Sequence, residues 1–324
     1  MPYRALVLAE ETWIAARALQ AWLDAGQQVA EAWCTAASSL ARPVRQPLAL
    51  AFGDWSVRRI LRRRGIPLRR CPPLRTWPEA ADRAAATGAD VLLNLLGLQI
   101  IPAAVLARFP GRALNVHPAL LPRYRGPIPR PAMLADGRAD EAGGVCLHLL
   151  TDGIDEGPIV AERRVPFPAA GGYAEWDARL ADAAAGLISD AALPYLDGRI
   201  AAVPQDESLA CHARPIPGVL DIGPATTLAR ARRLADTLGR VGRLVCRPAA
   251  GTTRRGAYHV TGIARVLGDP TGDPAGVGWR TIELDIADAR ISLARRGPGD
   301  RLGERAAAAA ALWRRRGGKQ VPVP

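Results

Sequence analysis

The first two hundred residues alternate short apolar runs with longer amphipathic segments. Tyr3–Ala9 and Val29–Thr35 have the length and composition of buried strands, and Thr12–Ala25 between them carries apolar residues at helical spacing. Gly26 supplies the turn after this helix. A strand, a helix and a second strand in succession are typical of a parallel sheet covered by helices.

The same alternation continues to the region of residue 205. Asp90–Leu98 is an almost continuous apolar run, typical of a strand buried on both faces, and we expect it at the centre of the sheet. Further strands are predicted at Ile66–Cys71, Arg112–His117, Val145–Leu150 and Ile159–Val165, and further helices at Trp55–Arg64, Trp77–Thr87, Pro102–Arg108 and Gly172–Leu196. The pattern predicts an α/β fold with a Rossmann-like, mostly parallel sheet.

The character of the chain changes after Ser208. A stretch rich in Pro and Gly, His212–Pro224, precedes a helical segment and several short apolar runs of strand type. These strands are predicted at Leu244–Arg247, Ala257–Leu267, Thr281–Ile286 and Arg290–Arg295. We therefore predict a larger domain over residues 1–205, a smaller β-rich C-terminal domain over 206–302, and an Arg/Ala-rich tail over 303–324 that is a frayed helix or disordered.

Length and composition indicate a folded cytoplasmic protein. A chain of 324 residues, of which 49% are hydrophobic, can bury a sizeable core. The first apolar run stops at Glu10 and Glu11, and no apolar stretch reaches the length of a membrane span, so we expect neither a signal peptide nor a transmembrane segment. Five cysteines without CxxC spacing argue against a disulfide framework and a zinc site, and suit a reducing cytoplasm.

The chain is strongly basic, with a formal net charge of +12. Clustered basic side chains favour nucleic-acid phosphates as partners. However, Lys319 is the only lysine among 43 basic residues, and this bias, together with abundant Ala, Gly and Pro, is typical of high-GC codon usage. Charge alone therefore does not identify a nucleic-acid partner, although Arg58–Arg70 and Arg314–Arg316 are candidate clusters.

The densest group of reactive side chains lies at the end of the strand predicted at 112–117. The segment Asn115–Gly126 reads NVHPALLPRYRG. Asn115 and His117 are two residues apart, so in an extended strand their side chains share one face. There an amide N–H and an imidazole can together stabilise the oxyanion of a tetrahedral intermediate. The structural alternative is that Asn115 caps a turn and that His117 is a buried histidine with satisfied hydrogen bonds.

A second polar segment, Thr151–Val160, reads TDGIDEGPIV and follows the strand predicted at 145–150. If it lies beside the first motif, the carboxylate of Asp155 can orient His117, stabilise its charged form and assist proton transfer. The alternative for this segment is an ordinary acidic hairpin turn, because Asp and Gly favour turns.

Together the two motifs resemble the folate-dependent formyltransferase family, whose members formylate methionyl-tRNA, glycinamide ribonucleotide or amino sugars. The family signature is Asn-x-His-Pro-x-Leu-Leu-Pro, often followed by Arg and Gly, and then an Asp-x-x-Asp-x-Gly-x-Ile-like loop; both stand here in that order. The resemblance covers roughly Ala5–Leu209. It implies the formyltransferase fold, a catalytic domain over residues 1–205, and 10-formyltetrahydrofolate as formyl donor, with no metal required.

The resemblance also implies roles for individual residues. Asn115 and His117 stabilise the oxyanion as the acceptor amine attacks the formyl carbon, and Asp155 supports His117 and proton transfer to the departing folate nitrogen. His148, in the strand before the second motif, is interpreted as structural. The residues that line the folate pocket are Leu95, Gly97, Leu98 and Gln99 from one strand end and the backbone of Asp152, Gly153 and Ile154.

The chain departs from methionyl-tRNA formyltransferases in segments that concern the acceptor. A Gly-Thr-Pro turn after the first strand is replaced by Ala9–Thr12, which places two acids where a tRNA end would approach. A Gly-Arg-Gly-Lys-Lys-like insertion is replaced by Ser38–Pro43, and Asn-x-Trp-Pro-Gly-Ala by Gly239–Arg243. These departures favour a small primary amine, such as an amino sugar or an amino-acid-like compound. The alternatives are a methionyl-tRNA formyltransferase and a non-catalytic folate-binding or nucleic-acid-binding paralogue.

Overall fold

The computed structural model describes residues 1–41, 55–169, 172–213, 221–239, 244–249 and 257–315. Within these ranges the chain forms a seven-stranded and a six-stranded β-sheet. No helix of the described ranges is both long and apolar enough to cross a membrane. Residues 42 and 43 of the altered insertion, residues 240–243 and the end of the predicted tail from residue 316 lie outside the described residues.

The larger sheet is built from the N-terminal half of the chain. Its strands are β1 (Arg4–Ala9), β2 (Gln28–Thr35), β3 (Leu68–Cys71), β4 (Val91–Leu95), β5 (Ala113–His117), β6 (Gly144–Leu149) and β7 (Ile159–Arg164). Their order is β3-β2-β1-β4-β5-β6-β7. Neighbours are parallel as far as β5, and β6 pairs antiparallel with both β5 and β7. The predicted α/β fold with a mostly parallel sheet is confirmed.

The predicted centre of the sheet is also the observed one. β4 is the fourth of the seven strands, and all five of its residues are buried. The chain places β2 and β3 on one side of β1 and β4 on the other, so the strand order reverses between β1 and β4. In open α/β sheets, ligands bind at such a reversal, outside the carboxyl ends of the strands.

Helices cover both faces of this sheet. They are α1 (Trp13–Asp24), α2 (Val57–Arg63), α3 (Ala80–Ala86), α4 (Ala103–Leu106), α5 (Pro129–Asp136), α6 (Ala139–Ala142), α7 (Gly172–Leu187) and α8 (Leu193–Leu196). Successive residues of a strand point to opposite faces. Val7 of β1 accordingly packs in one apolar cluster with α1 and α7, whereas Leu8 packs in a second cluster with α3 and α4.

Two features of the helical layer differ from the sequence prediction. The single helix predicted at Gly172–Leu196 is divided, because a π-helical segment, Ile188–Ala192, separates α7 from α8. Pro194 lacks the N–H that would bond the carbonyl of Asp190 in a continuous α-helix, which favours this rearrangement. α5 and α6 were not predicted, since the proline that starts α5 and the glycine that ends it weaken the helical pattern.

The C-terminal part forms the second, smaller sheet, as predicted. Its strands are β8 (Asp221–Ile222), β9 (Val245–Cys246), β10 (Tyr258–Gly268), β11 (Gly276–Val277), β12 (Thr281–Ile286) and β13 (Ala289–Arg295), in the order β11-β12-β13-β10-β9-β8. The helix α9 (Leu228–Leu234) follows β8. β8 lies within the segment that the sequence analysis treated as a Pro and Gly stretch, and β11 was not predicted, because strands of two residues carry no periodic signal.

The described end of the chain is a helix, α10 (Pro298–Arg315), which packs against α7 of the larger sheet domain. Glu175 of α7 is buried, and its carboxylate accepts hydrogen bonds from Arg314 and Arg315 at 2.9 Å. Arg179 donates to the same carboxylate at 2.9 Å. The predicted tail is therefore helical as far as Arg315 and is attached to the larger domain by buried charge.

Candidate active site

A row of buried polar side chains crosses the middle of the larger sheet. Asn115 of β5 lies directly opposite Asn94 of β4 and His148 of β6 in the strand register. All three side chains are buried. Buried polar groups cost free energy unless they are hydrogen-bonded, so a row of this kind requires its members to bond one another.

The side-chain amide of Asn115 has three partners. Its Oδ1 accepts from Asn94 Nδ2 at 2.9 Å, and its Nδ2 lies 2.8 Å from His148 Nε2 and 3.0 Å from Asp155 Oδ1. His148 Nδ1 lies 2.8 Å from the carbonyl oxygen of Leu149, which can only accept. The neutral His148 ring therefore carries its proton on Nδ1, and Nε2 accepts from Asn115. These contacts fix the orientation of the Asn115 amide.

Asp155 has a left-handed backbone, with φ 55°. For a residue other than glycine, this conformation costs on the order of 1–3 kcal/mol and persists only where the surrounding contacts impose it. The carboxylate is 14% exposed. Its Oδ1 accepts from Asn115, and its Oδ2 accepts from the Gly126 N–H at 2.8 Å and lies 3.4 Å from His117 Nδ1. The structure thus brings Asn115, His117 and Asp155 into one cluster.

The two ring nitrogens of His117 face different groups. Nε2 lies 2.9 Å from the carbonyl oxygen of Tyr124, so Nε2 carries a proton and donates it. Nδ1 faces the Asp155 carboxylate, which can hold a second proton on that nitrogen. The neutral ring therefore has its lone pair on Nδ1. This nitrogen can accept a proton, and the resulting imidazolium would lie beside a carboxylate.

Burial and charge act in opposite directions on this pair. Burial lowers the pKa of His117, although the neighbouring Asp155 carboxylate opposes the shift. Burial would raise the pKa of the Asp155 carboxyl, but His117, His148 and the Gly126 N–H outweigh burial and hold that pKa well below its ordinary value. At neutral pH the cluster therefore contains a neutral imidazole beside an ionised carboxylate, which is the arrangement of a general base and its orienting partner.

The first predicted folate-pocket segment follows β4 directly. The Gly97 N–H donates to Asn94 Oδ1 at 3.0 Å, which ties this turn to the polar row. A Cβ at position 97 would collide with the same oxygen, so the turn requires glycine. Leu95 is buried, Leu98 is 68% exposed, and Gln99 Oε1 accepts a backbone N–H from the segment before α3. Leu98 is thus an exposed apolar side chain beside the row.

The second predicted folate-pocket segment, Asp152 to Ile154, leads into the left-handed carboxylate residue. Gly153 sits against the Glu156 carboxylate so closely that a Cβ would collide with it. Ile154 is 48% exposed. The segment Asp152 to Ile154 follows β6, which carries His148, whereas the segment at Gly97 follows β4, which carries Asn94. The two predicted folate-pocket segments therefore lie at the two ends of the polar row.

The two acids that replace the Gly-Thr-Pro turn bond to the protein backbone. Glu10 Oε2 accepts from the Ser39 N–H at 2.6 Å, and Glu11 Oε2 accepts from the Arg58 N–H at 3.0 Å. Arg58 lies in the first turn of α2, where a carboxylate is favourable. The acids therefore hold the loop at residue 39 and the start of α2 against the carboxyl end of β1.

The other potential metal ligands do not join the cluster. His212 and His259 are exposed. All five cysteines are unpaired, and Cys211 is the one that is partly accessible. In the ranges that the structure describes, no group of three or more His, Cys, Asp or Glu is arranged to hold a metal ion.

Several residues that hold the cluster were not predicted from the sequence. Asn94 and His148 are polar residues within otherwise apolar strands, and aligning those strands with β5 would have revealed the row. Tyr124 and Gly126 act through backbone atoms, which a search for reactive side chains passes over. The interpretation of His148 as structural omits its contact with the Asn115 amide.

Comparisons with known sequences place the cluster in a recognised domain. Residues 70–191 match the formyl transferase family. The methionyl-tRNA formyltransferase of a Roseiflexus species is 32% identical over 215 residues, which cover 65% of this chain and 62% of that protein. The methionyl-tRNA formyltransferase of Sorangium cellulosum is 34% identical over 149 residues, 46% of this chain and 47% of that protein. The chain spans about half the length of the curated relatives that it matches.

A solved structure shares the fold over most of the chain. The N-formyltransferase from Helicobacter canadensis, in complex with folinic acid and dTDP-3-aminofucose, superposes with a TM-score of 0.54. It is 13% identical, and the match covers 92% of this chain and 100% of that one. Asn115, His117 and Asp155 all lie inside the matched sequence segment 70–191. The segment of this chain that matches the formyl transferase family therefore contains the whole cluster.

Proposed function

We propose that the protein transfers a formyl group from 10-formyltetrahydrofolate to a primary amine. The observation that carries this proposal is the buried contact of Asp155 with Asn115 and His117 inside the formyl transferase domain. An amide donor, a neutral imidazole and an ionised carboxylate within hydrogen-bond reach are the groups that acyl transfer to an amine needs.

Two segments beside the polar row suit the folate donor. Leu98 and Ile154 offer exposed apolar side chains to a flat ring, and the backbone of Asp152 and Gly153 offers hydrogen-bonding groups to its polar edge. When bound, the folate supplies a formyl group on a nitrogen that can leave. Three further residues complete the proposed folate pocket on the side of β4: Leu95, Gly97 and Gln99.

The cluster supplies three separate actions. Asn115 donates an N–H, in competition with its present acceptors, to the formyl oxygen, where negative charge develops as the amine nitrogen bonds to the formyl carbon. His117 takes the amine proton at Nδ1, and Asp155 stabilises the imidazolium. The same proton then passes to the departing folate nitrogen as the carbon–nitrogen bond of the donor breaks and the formyl C=O re-forms. His117 returns to its neutral state.

The acceptor that we favour is a small amine. The segments that depart from methionyl-tRNA formyltransferases are Ala9–Thr12, Ser38–Pro43 and Gly239–Arg243. Glu10 and Glu11 keep negative charge at the carboxyl end of β1, beside the strand-order reversal, and that charge opposes the approach of phosphates. A cationic amine of the size of an amino sugar or an amino acid does not meet this repulsion.

Formylation of initiator methionyl-tRNA is the second candidate. The curated relatives that are about a third identical to this chain over the matched segments bear the name methionyl-tRNA formyltransferase. The net charge of +12 also suits a polyanion. A third candidate is a folate-binding or nucleic-acid-binding paralogue without catalysis. The presence of Asn115, His117 and Asp155 in one cluster argues against it.

Release of tetrahydrofolate distinguishes these functions. The protein is mixed with 10-formyltetrahydrofolate and, in parallel, with charged initiator tRNA, amino sugars and amino acids. Turnover with a small amine and none with tRNA supports the favoured function. Turnover with tRNA establishes the second candidate. Folate binding without turnover on any acceptor contradicts the proposed enzyme activity.

A further inference from the structure

One segment of the chain contacts two loops of the reactive cluster, the loop that contains Tyr124 and the loop that contains Asp155. This clasp segment, Gln205–Ala213, connects the larger domain to the smaller one. The Arg125 N–H donates to the carbonyl oxygen of Cys211 at 2.9 Å, and the Ala213 N–H donates to the carbonyl oxygen of Arg125 at 2.7 Å. The Tyr124 N–H donates to Cys211 Sγ at 3.2 Å. The clasp segment therefore holds the loop whose Tyr124 carbonyl oxygen accepts the hydrogen bond from His117 Nε2.

The first residue of the clasp segment holds the other loop. Gln205 Nε2 has two N–H groups; one donates to the carbonyl oxygen of Asp155 at 2.8 Å and the other to that of Gly157 at 2.7 Å. These carbonyls belong to the left-handed residue and to the residue two positions after it. The Gln205 side chain thus holds the backbone of the loop that carries the Asp155 carboxylate.

A buried arginine fixes Gln205 in turn. Arg125 is 2% exposed, and its Nη2 and Nε donate to Gln205 Oε1 at 2.7 and 3.1 Å. Along the other edge of the guanidinium, Nη2 donates to Glu207 Oε1 at 2.6 Å and Nη1 donates to Glu207 Oε2 at 2.9 Å. The next residue, Gly126, donates its N–H to Asp155 Oδ2. The Arg125-Gly126 dipeptide therefore holds the side chain of Asp155 directly and its backbone through Gln205.

We propose that Gln205 is a positioning residue that imposes the left-handed conformation of Asp155 and so directs its carboxylate at His117 and Asn115. The inference rests on the proposed formyl transfer for its kinetic consequence, but its structural consequence is independent of activity. Two donated hydrogen bonds are essential to the role, because both partners are carbonyl oxygens. A side chain of the same size without N–H groups cannot perform it.

The substitution Gln205→Glu tests the donors with the volume preserved. The new carboxylate pairs with Arg125, so the protein is expected to fold, but its oxygens face two carbonyls that then lack a donor. Gln205→Ala removes the amide altogether. Ser208→Ala is the matched control, because Ser208 lies in the same clasp segment and, within the part of the chain that the structure describes, its side chain bonds only to Asp206.

Two measurements separate positioning from a simple packing role. Amide hydrogen exchange of Gly126, whose N–H donates to Asp155 Oδ2, is expected to accelerate at least about tenfold in both Gln205 variants and to stay unchanged in the Ser208 variant. With an active enzyme, kcat is expected to fall by roughly 10- to 100-fold in Gln205→Glu, since a displacement of about 1 Å is enough for such a loss. The acid limb of its pH profile is expected to move to lower pH, because a displaced Asp155 no longer supports protonated His117.

The outcomes separate this inference from the proposed function. A folded Gln205→Glu protein with the loop exchange, kcat and pH profile of the wild type overturns the positioning role. If the wild type transfers no formyl group to any acceptor, the proposed function fails. Exchange of the Gly126 N–H then still decides whether Gln205 positions Asp155.

Discussion

Asn115 meets its three partners with a side chain that offers two N–H groups and one carbonyl oxygen. In the resting cluster, all three are in use: Asn94 donates to the oxygen, and His148 and Asp155 accept from the nitrogen. An oxyanion must therefore compete with these acceptors for an N–H. The amide is already oriented, so little reorganisation accompanies the reaction, and this is the physical basis of electrostatic stabilisation by a preorganised donor.

Replacing Asn115 with Ala is expected to lower kcat by about 10²- to 10³-fold, because one preorganised donor to the oxyanion is lost. The substitution also leaves the partners of the amide unpaired, so thermal unfolding is measured beside the rate. His259→Gln, at an exposed position of β10, serves as the control and is expected to keep full activity. An Asn115→Ala enzyme with near wild-type kcat would remove this residue from the mechanism.

The pH dependence of kcat/KM is expected to report the pKa of His117 in the free enzyme. His117 must be neutral to accept the amine proton, so kcat/KM falls as the pH drops through that pKa. Because burial lowers this pKa from an ordinary value of 6.5, the acid limb lies below pH 6.5. Asp155→Asn removes the charge that raises the pKa of His117, so its acid limb is expected at still lower pH. Movement of the limb to higher pH would contradict the assigned roles.

The three candidate reactive residues, whose proximity the structure shows, could be proposed from the sequence because two short motifs contain them. The spacing of Asn115 and His117 in a strand already placed them on one face, and the Asp155 loop needed only proximity. What the sequence concealed was the contribution of partners far along the chain. Gln205 lies 50 positions after Asp155. It begins a segment, Gln205–Leu209, that resembles the family, but nothing in that segment predicts its contact with the Asp155 loop.

At the scale of elements, periodicity predicted the sheet strands well and the helices less completely. β4 and β5 were evident because buried parallel strands are continuously apolar. The long helix at residue 172 was predicted without its π-helical interruption, because the pattern of apolar positions continues through it. The antiparallel pairing of β5 with β6 could not be derived, since strand direction depends on the path of the chain between them.

Glu175 determines how α10 attaches to α7. Its carboxylate is buried yet accepts hydrogen bonds from three arginines, which outweigh burial and lower its pKa from 4.5 to about 2. Glu175→Gln is expected to lower the free energy of unfolding at pH 7 by about 2 kcal/mol, the scale of a hydrogen bond to a charged group. Chemical denaturation of the two proteins measures the difference.

The acid dependence of this difference has a definite sign. A carboxyl whose pKa is lower in the folded than in the unfolded protein stabilises the fold above pH 4.5, and this contribution disappears as the pH falls towards 2. The difference in the free energy of unfolding between the wild type and Glu175→Gln is therefore expected to shrink as the pH falls from 4.5 towards 2. Glu141→Gln, at an exposed ion pair with Arg138, is the matched control and is expected to change stability little at any pH.

At the scale of the whole molecule, the net charge and the acids beside the candidate site favour different acceptors. The formal net charge of +12 suits a polyanion, whereas Glu10 and Glu11 place negative charge at the carboxyl end of β1. Arginine dominates the basic residues, with one lysine among 43. If codon usage explains that bias, the positive charge was not selected for a polyanion, and the acids fixed at the end of β1 then decide the preference.

The salt dependence of formyl transfer tests which of these contributions governs the acceptor. A small amine makes few ionic contacts, so kcat/KM is expected to change by less than about threefold between 50 and 200 mM salt, whereas a nucleic acid held by 6–10 phosphate contacts would lose about 10³- to 10⁵-fold in affinity over the same interval. Donor binding is measured separately at each concentration, so that a change at the folate pocket is not attributed to the acceptor. A steep loss confined to the acceptor would show that the arginines grip phosphates, and it would favour tRNA despite Glu10 and Glu11.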